Sequence, residues 1–291
     1  MLKECMEGLD IRPDGLYVDL TVGGGGHSRA IMERLSPDGR LIGFDQDSDV
    51  KGNLPADERF TFVHGNFRYL ENFMDYYGLT GRVNGLLADL GVSSHHFDEA
   101  ERGFSFRFDG PLDMRMNRAS SLTAETVVND YPEERLADVL YCYGEVERSR
   151  AIARAVCKAR AKGRLTSIFA LRDTLLPFAR RDEKKELARV FQALRIEVND
   201  EMGALRQMLE SCQRVLAPGA RLCVITYHSL EDRLVKNYMK AGNFNGEARQ
   251  DFFGNRQAPF RPVGKLRAPT EQEITENPRA RSGKLRVATR V

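Results

Sequence analysis

The stretch from Leu16 to His27, L-Y-V-D-L-T-V-G-G-G-G-H, carries an apolar run into an acid and then into four consecutive glycines. Nineteen residues beyond Gly26 a second apolar run, L-I-G-F, ends in Asp45. Strand, glycine loop, helix, strand and terminal acid make the outline of a Rossmann-type site for a nucleoside-containing cofactor. Glycines let the backbone approach a ligand closely and adopt φ values closed to other residues. Asp45 would then accept hydrogen bonds from both ribose hydroxyls. A glycine-rich turn can also be a plain hairpin, but the two flanking strands and Asp45 favour the cofactor site.

Asp19 bears on which nucleoside binds. A dinucleotide would set a doubly charged pyrophosphate against the loop, where a carboxylate four residues before Gly23 is unwelcome. S-adenosylmethionine instead brings an ammonium and a sulfonium cation, which an acid at the end of the first strand helps to hold. The spacing Asp19-x-Thr21-x-Gly23-x-Gly25 fits methyltransferase loops better than the dehydrogenase G-x-G-x-x-G, whose last position here is Ser28. The methyl donor is the favoured cofactor.

The 291 residues, 42% hydrophobic and 30% charged, are enough for one large or two modest cores. No apolar stretch approaches the roughly 20 residues needed to cross a bilayer, and M-L-K-E-C-M-E-G-L lacks a signal-peptide apolar region. Cys5, Cys142, Cys157, Cys212 and Cys223 are scattered and form no C-x-x-C, which points to a reduced cytoplasm with neither disulfide framework nor zinc site. The net charge of +2 conceals an asymmetry. Residues 1–146 hold 14 Lys/Arg against 26 Asp/Glu, residues 147–195 hold 14 against 5, and residues 256–291 hold 9 against 3. Arg148, Arg150, Arg154, Lys158, Arg160, Lys162 and Arg164 in quick succession suggest a surface for a nucleic acid; the duller reading is a solvated helix face.

Strands are expected at 60–63, at 83–90 (near-continuously apolar, as a buried parallel strand should be), at 221–227 and at the C-terminus, with a helix at 204–216. From about 112 to 195 the pattern is helical, with Thr123 and Thr166–Ser167 as caps, Pro132 opening a segment and Gly163 closing one. The expected fold is α/β, a Rossmann-like S-adenosylmethionine-dependent methyltransferase core with an inserted helical cap domain. Residues 1–111 and 196–291 form the core and 112–195 the cap, carried over the C-terminal edge of the sheet where ligands bind. Residues 241–262 read as a loop.

The fourth strand ends in Asp89, followed by L-G-V-S-S-H-H to His96. In this fold that turn faces the methyl donor across the crevice. Enzymes acting on exocyclic base nitrogens place Asp or Asn, prolines and an aromatic there; this turn begins with Asp but continues Leu-Gly-Val-Ser. His95–His96 lack the partners of a metal site and read as a surface turn or a cofactor contact. Ser93 and Ser94 lack the G-x-S-x-G frame of a hydrolase nucleophile. Tyr227-His-Ser-Leu-Glu-Asp-Arg233 closes the fifth strand, so His228 is either an acceptor near the base or part of a helix cap with Ser229. Gly103-F-S-F-R-F-D-G-P-L-D-M-R-Met116 interleaves aromatics with Arg107 and Arg115; it suits a splayed-out RNA base, or a packed hinge into the insert.

Together these blocks resemble the bacterial 16S ribosomal RNA cytosine-N4 methyltransferases (MraW/RsmH family). The matching segments include T-V-G-G-G-G-H-S (21–28), L-L-A-D-L-G-V-S-S (86–94), A-E-R-G-F-S-F (100–106), D-G-P-L-D-M-R-M (109–116), F-Q-A-L-R-I-E-V-N (191–199), Y-H-S-L-E-D-R (227–233) and N-P-R-A-R-S (277–282), spread along nearly the whole chain. The resemblance implies methyl transfer from S-adenosylmethionine to N4 of a cytosine in the decoding centre of small-subunit ribosomal RNA, within the assembled 30S subunit. Carried over by position, Gly25, Gly26 and His27 would bind the methionine part, Asp45 the ribose and Phe67 the adenine, with Asp89 and His96 completing the pocket. Asp89 and His228 are the candidate catalytic residues; no metal is implied. The chain departs from the family where His95–His96 replace Pro-Gln, and an H-x-P-V stretch usual about ten residues earlier is absent before Met1-Leu2-Lys3-Glu4. A DNA amino-methyltransferase, a nicotinamide-dependent oxidoreductase and a non-catalytic RNA-binding assembly factor remain rival readings.

Overall fold

The computed structural model describes all residues except 93–98, 179–181, 249, 251 and 254–256. It divides into two compact units, Met1–Gly91 with Met202–Val291, and Val92–Glu201.

The first unit is built on a seven-stranded sheet of order β3-β2-β1-β4-β5-β7-β6. Its strands are β1 (Leu16–Asp19), β2 (Arg40–Asp45), β3 (Phe60–His64), β4 (Val83–Asp89), β5 (Leu216–Thr226), β6 (Phe260–Pro262) and β7 (Lys284–Arg290). The first five run parallel, and β7 is antiparallel to both β5 and β6. Alternation along the parallel strands sorts side chains onto two faces. Val18, Ile42, Phe44, Leu86, Ala88, Leu222 and Val224 join one core cluster. The intervening Tyr17, Leu41, Leu87, Cys223 and Ile225 join another. A sheet buried on both faces explains why β4 reads as almost unbroken apolar sequence.

The chain leaves β1 for β2 and β3 on one side, then returns to place β4 on the other. That reversal opens a crevice beyond the carboxyl ends of β1 and β4. Register brings the strand ends level: Asp19 lies opposite Gly43 and Leu87, and Asp89 opposite Ile225. Helices flank the sheet: α1 (Leu2–Leu9), α2 (Gly26–Met32) and α3 (Leu70–Tyr76) in the first half. The three-residue β6 interrupts the expected 241–262 loop. It was invisible to periodicity because three residues carry no period, and its Pro262 marks an edge strand.

The second unit is helical. It contains α4 (Ala124–Asp130), α5 (Glu133–Gly144), α6 (Ser149–Arg160), α7 (Ile168–Leu175) and α8 (Glu183–Asn199). Thr123 and Ser167 cap α4 and α7 through their hydroxyls, each such cap stabilising by about 1 kcal/mol. The expected 112–195 insert lies inside this wider unit. The irregular segment 104–116, which straddles the expected boundary at 112, has no helical period, yet Phe104, Leu112, Met114 and Met116 are buried in the helical core. Asn199 ties that segment down, donating to the Met114 carbonyl and accepting from Met116 N. The Gly103–Met116 motif is therefore largely a packed element: Arg115 forms a bidentate pair with Asp113 and donates to the Arg118 and Ser120 carbonyls.

The basic run is partly consumed by the fold. Arg160 donates to the carbonyls of Val128 and Tyr131, both at 2.7 Å. Arg164 pairs with Asp130 and Glu125, Arg154 with Glu133, and Arg148 lies over the Phe178 ring. Arg150, Lys158 and Lys162 are exposed and form no ion pair among the described residues. Further along the chain come α9 (Glu201–Val215), α10 (Ser229–Ala241) and α11 (Glu271–Glu276).

Candidate active site

The glycine loop leaves β1 in a shape that demands its composition. Gly23 has φ +46° and Gly25 φ +75°, and a Cβ on Gly25 would sit 2.4 Å from the Asn53 carbonyl. A Cβ on Gly24 or Gly26 would meet nothing within 4 Å, so that side of the loop borders open space. The loop is pinned from outside: Arg29 donates to the Gly24 carbonyl (2.7 Å), and Asn53 to the Gly23 carbonyl (3.1 Å).

Three acids stand around this loop. Asp19 is fully buried, and accepts from Thr21 N (3.1 Å) and Ser28 Oγ (2.6 Å). It thus ties the loop to the first turn of α2, and its charge acts on a ligand through space rather than by contact. Asp45 accepts from Gly23 N and Asp47 N, both at 2.9 Å, which joins the end of β2 to the loop. Asp89 is held twice: its N–H donates to Thr21 Oγ1 (2.7 Å), and its Oδ1 accepts from the Tyr227 hydroxyl (2.9 Å). Its Oδ2 lies 3.6 Å from His27 Nδ1, and His27 Nε2 is buried with no hydrogen-bond partner among the described residues.

Burial pushes all three carboxyls above their ordinary value. At Asp19 and Asp89 the nearby His27 opposes the shift, as hydrogen bonds do at each acid. Burial and the Asp89 charge push the Tyr227 phenol far up, so it stays a neutral donor. Gathering carboxylates in a low-dielectric crevice is costly unless a cation joins them. The arrangement rejects a pyrophosphate and suits a positively charged ligand.

At the neighbouring strand ends, Gly65 N donates to the Asp45 carbonyl and Asn66 to the Gln46 amide oxygen (2.8 Å). Phe67 follows, half-buried against the core cluster below it. Asp45 and Phe67 thus sit on adjacent strand ends, where a ribose and its base would lie side by side.

Of the candidate residues, the structure brings Gly25, Gly26, His27, Asp45 and Asp89 around one crevice. His96, with Ser93, Ser94 and His95, lies outside the described residues. His228 occupies the N-cap position of α10, and its ring faces Glu231, with Nε2 3.2 Å from Oε1. The residue that reaches Asp89 is its neighbour Tyr227. Sequence reading passed over it, although a tyrosine closing a strand beside the Asp89 strand was a signal. Gly91, at φ +103°, lets the Tyr227 ring approach: a Cβ there would lie 3.2 Å from it.

A doubly wound sheet with an acid-ringed glycine loop at its reversal defines a nucleoside-binding protein built for a cationic donor, the S-adenosylmethionine-dependent methyltransferase class. The MraW methylase family profile matches residues 1–291, and the chain belongs to that family. It is 62% identical over 293 residues to the ribosomal RNA small subunit methyltransferase H of Parabacteroides distasonis, covering 100% of this chain and 96% of that one. It is 59% identical over 290 residues to the protein of that name from Bacteroides fragilis (99% and 95% covered). Identity to the Flavobacterium psychrophilum protein is 52% over 289 residues (99% of each chain).

Proposed function

We propose that this protein transfers the methyl group of S-adenosylmethionine to N4 of a cytosine in the decoding centre of 16S ribosomal RNA, in the cytoplasm and on the assembled 30S subunit. The observation that carries this reading is Asp89 at the end of β4 beside the glycine loop, its backbone N–H held by Thr21 and its carboxylate by the Tyr227 hydroxyl. Family membership and the names of the relatives support the ribosomal substrate.

Gly25, Gly26 and His27 would hold the methionine part, Asp45 the ribose hydroxyls and Phe67 one face of the adenine, with His96 a further pocket residue. The donor supplies an activated methyl cation equivalent. The protein's task is alignment and polarisation. The cytosine N4 lone pair is delocalised into the ring, and a carboxylate accepting one of its hydrogens makes it a better nucleophile. Asp89, oriented by the Tyr227 hydroxyl, is placed for that acceptance. As the N4–carbon bond forms and the carbon–sulfur bond breaks, N4 becomes cationic and must lose a proton. His228 is not free to take it, because its side chain accepts from the Glu231 backbone N–H. The base must leave its stack to reach the crevice. Exposed Arg150, Lys158 and Lys162 would grip phosphates, so RNA affinity should fall with salt.

The test is incubation with radiolabelled S-adenosylmethionine and small subunits from an unmodified strain, followed by nucleoside analysis. N4-methylcytidine is the expected product. Label on duplex DNA in preference to small subunits would replace this reading with a DNA methyltransferase.

A further inference from the structure

Asp89 lies just past the point where β4 loses one of its neighbours. β1 ends at Asp19, opposite Leu87, and Leu20 N donates to the Leu87 carbonyl (2.9 Å). Alternate residues of a strand in a parallel ladder bond to the same neighbour. Leu90 N donates across to Ile225 on β5 (3.0 Å), so the Asp89 N–H is directed to the other side, where β1 has already turned into the glycine loop. A backbone N–H shut away from water needs an acceptor. Here a side chain supplies it: Thr21 Oγ1, at 2.7 Å, stands where a β1 carbonyl would otherwise be.

Thr21 is itself anchored to the end of β1. Its N–H donates to Asp19 Oδ1 (3.1 Å). Burial pushes the Asp19 carboxyl up, and the Thr21 hydroxyl is among the groups opposing that rise. A hydroxyl is able to donate to one partner while it accepts from another. The remaining bonds of the loop do not use this oxygen. Gly23 N is held by Asp45, the Gly23 carbonyl by Asn53 and the Gly24 carbonyl by Arg29. One oxygen thus serves the end of β4, and a separate set of bonds holds the glycines.

We infer that Thr21 is a positioning residue for methyl transfer: its hydroxyl replaces the missing β1 acceptor and fixes the backbone of Asp89, so that the carboxylate meets the amino group of the base in one place. This rests on the cytosine-N4 reading above. The Tyr227 hydroxyl fixes the direction of the carboxylate (2.9 Å), and Thr21 fixes the backbone that carries it. A displacement of about 1 Å at a reacting centre is enough to cost roughly a hundredfold in rate.

The test compares Thr21→Val, which keeps the branched shape and loses the acceptor, with Thr21→Ser, which keeps the acceptor. Both full-length variants and wild type are measured by calorimetry with S-adenosylmethionine and by steady-state methylation of small subunits. For Thr21→Val the expected kcat is lower by about ten- to a hundredfold, with donor Kd and subunit KM within about threefold of wild type. Thr21→Ser should restore kcat to within about threefold. A purely structural role would lower the melting temperature of Thr21→Val and leave the kcat of the folded protein unchanged. Three results overturn the inference: an unchanged kcat in Thr21→Val, an equal loss in Thr21→Ser, or a loss confined to donor Kd. Where Thr21→Val does not fold, amide hydrogen exchange on wild type decides. The Asp89 N–H should be protected, and exchange as fast as that of an open loop overturns the inference. If wild type makes N4-methylcytidine and Thr21→Val matches it, only this inference fails. If wild type makes none, the cytosine-N4 reading fails with it.

Discussion

The glycine loop and the basic run on the helical unit are the two most conspicuous stretches of the sequence, and the structure treats them differently. In the loop, Gly23 and Gly25 take positive φ, Asp45 and Asp89 close strands beside it and a helix starts where it stops, while Asp19 accepts from Thr21 and Ser28. In the basic run, Arg160, Arg164 and Arg154 are engaged by carbonyls and carboxylates of their own unit, and Arg150, Lys158 and Lys162 are left to solvent. The backbone constraints of a loop leave few alternatives for its residues. A charge run leaves many, because each long side chain can turn inward or outward.

The sharpest break of that contrast comes from the loop side. Asp45→Ala removes the acceptor for Gly23 N and the expected ribose ligand together. Calorimetry should show S-adenosylmethionine affinity falling by roughly a hundredfold, the scale of two lost hydrogen bonds to a charged group. Asp89→Asn comes next. Asn still accepts from Tyr227, so the fold should persist. Methyl transfer to small subunits should fall by about ten- to a hundredfold, while donor Kd moves far less.

The same variant sharpens the electrostatic side. Burial raises the Asp89 pKa, so the ionised carboxylate destabilises the donor-free protein at neutral pH, and stability is recovered as pH falls through the raised value toward the unfolded one. Asp89→Asn should therefore melt at a higher temperature than wild type at pH 7, which a calorimetric scan of the donor-free proteins checks. That advantage should vanish toward pH 4. Donor affinity in wild type should weaken over the same descent, as the acids that attract its cations become neutral.

The helical unit offers the smaller effects. Arg160→Ala should lower its stability by about 1–3 kcal/mol by stranding two carbonyls, and should leave the salt dependence of RNA binding nearly unchanged. Replacing Arg150, Lys158 and Lys162 together should do the opposite. The slope of log affinity against log salt should shrink by up to about two, with the melting temperature barely altered.

The sheet was legible because its strands are short, apolar and separated by helical periods, and because a glycine loop between a strand and a helix has few other uses. What escaped lacked a period or depended on neighbours distant in sequence. The helical unit's start, from Val92, was hidden because Phe104 enters a helical core from irregular backbone. Asp19 read as an acid that helps to hold the donor's cations; that its oxygens accept from Thr21 and Ser28 was hidden, a relation fixed only when α2 folds back. His228 stood out as a histidine, whereas its neighbour Tyr227 makes the bond to Asp89 that orders the crevice.

The most direct test of the central claim, that the acid-ringed loop is built for a cationic methyl donor, is a calorimetric comparison of S-adenosylmethionine with NAD on the wild-type protein. Binding of the sulfonium nucleoside at micromolar affinity, with no measurable heat from the dinucleotide, is the predicted result. Dinucleotide binding as tight as or tighter than that of S-adenosylmethionine would contradict it.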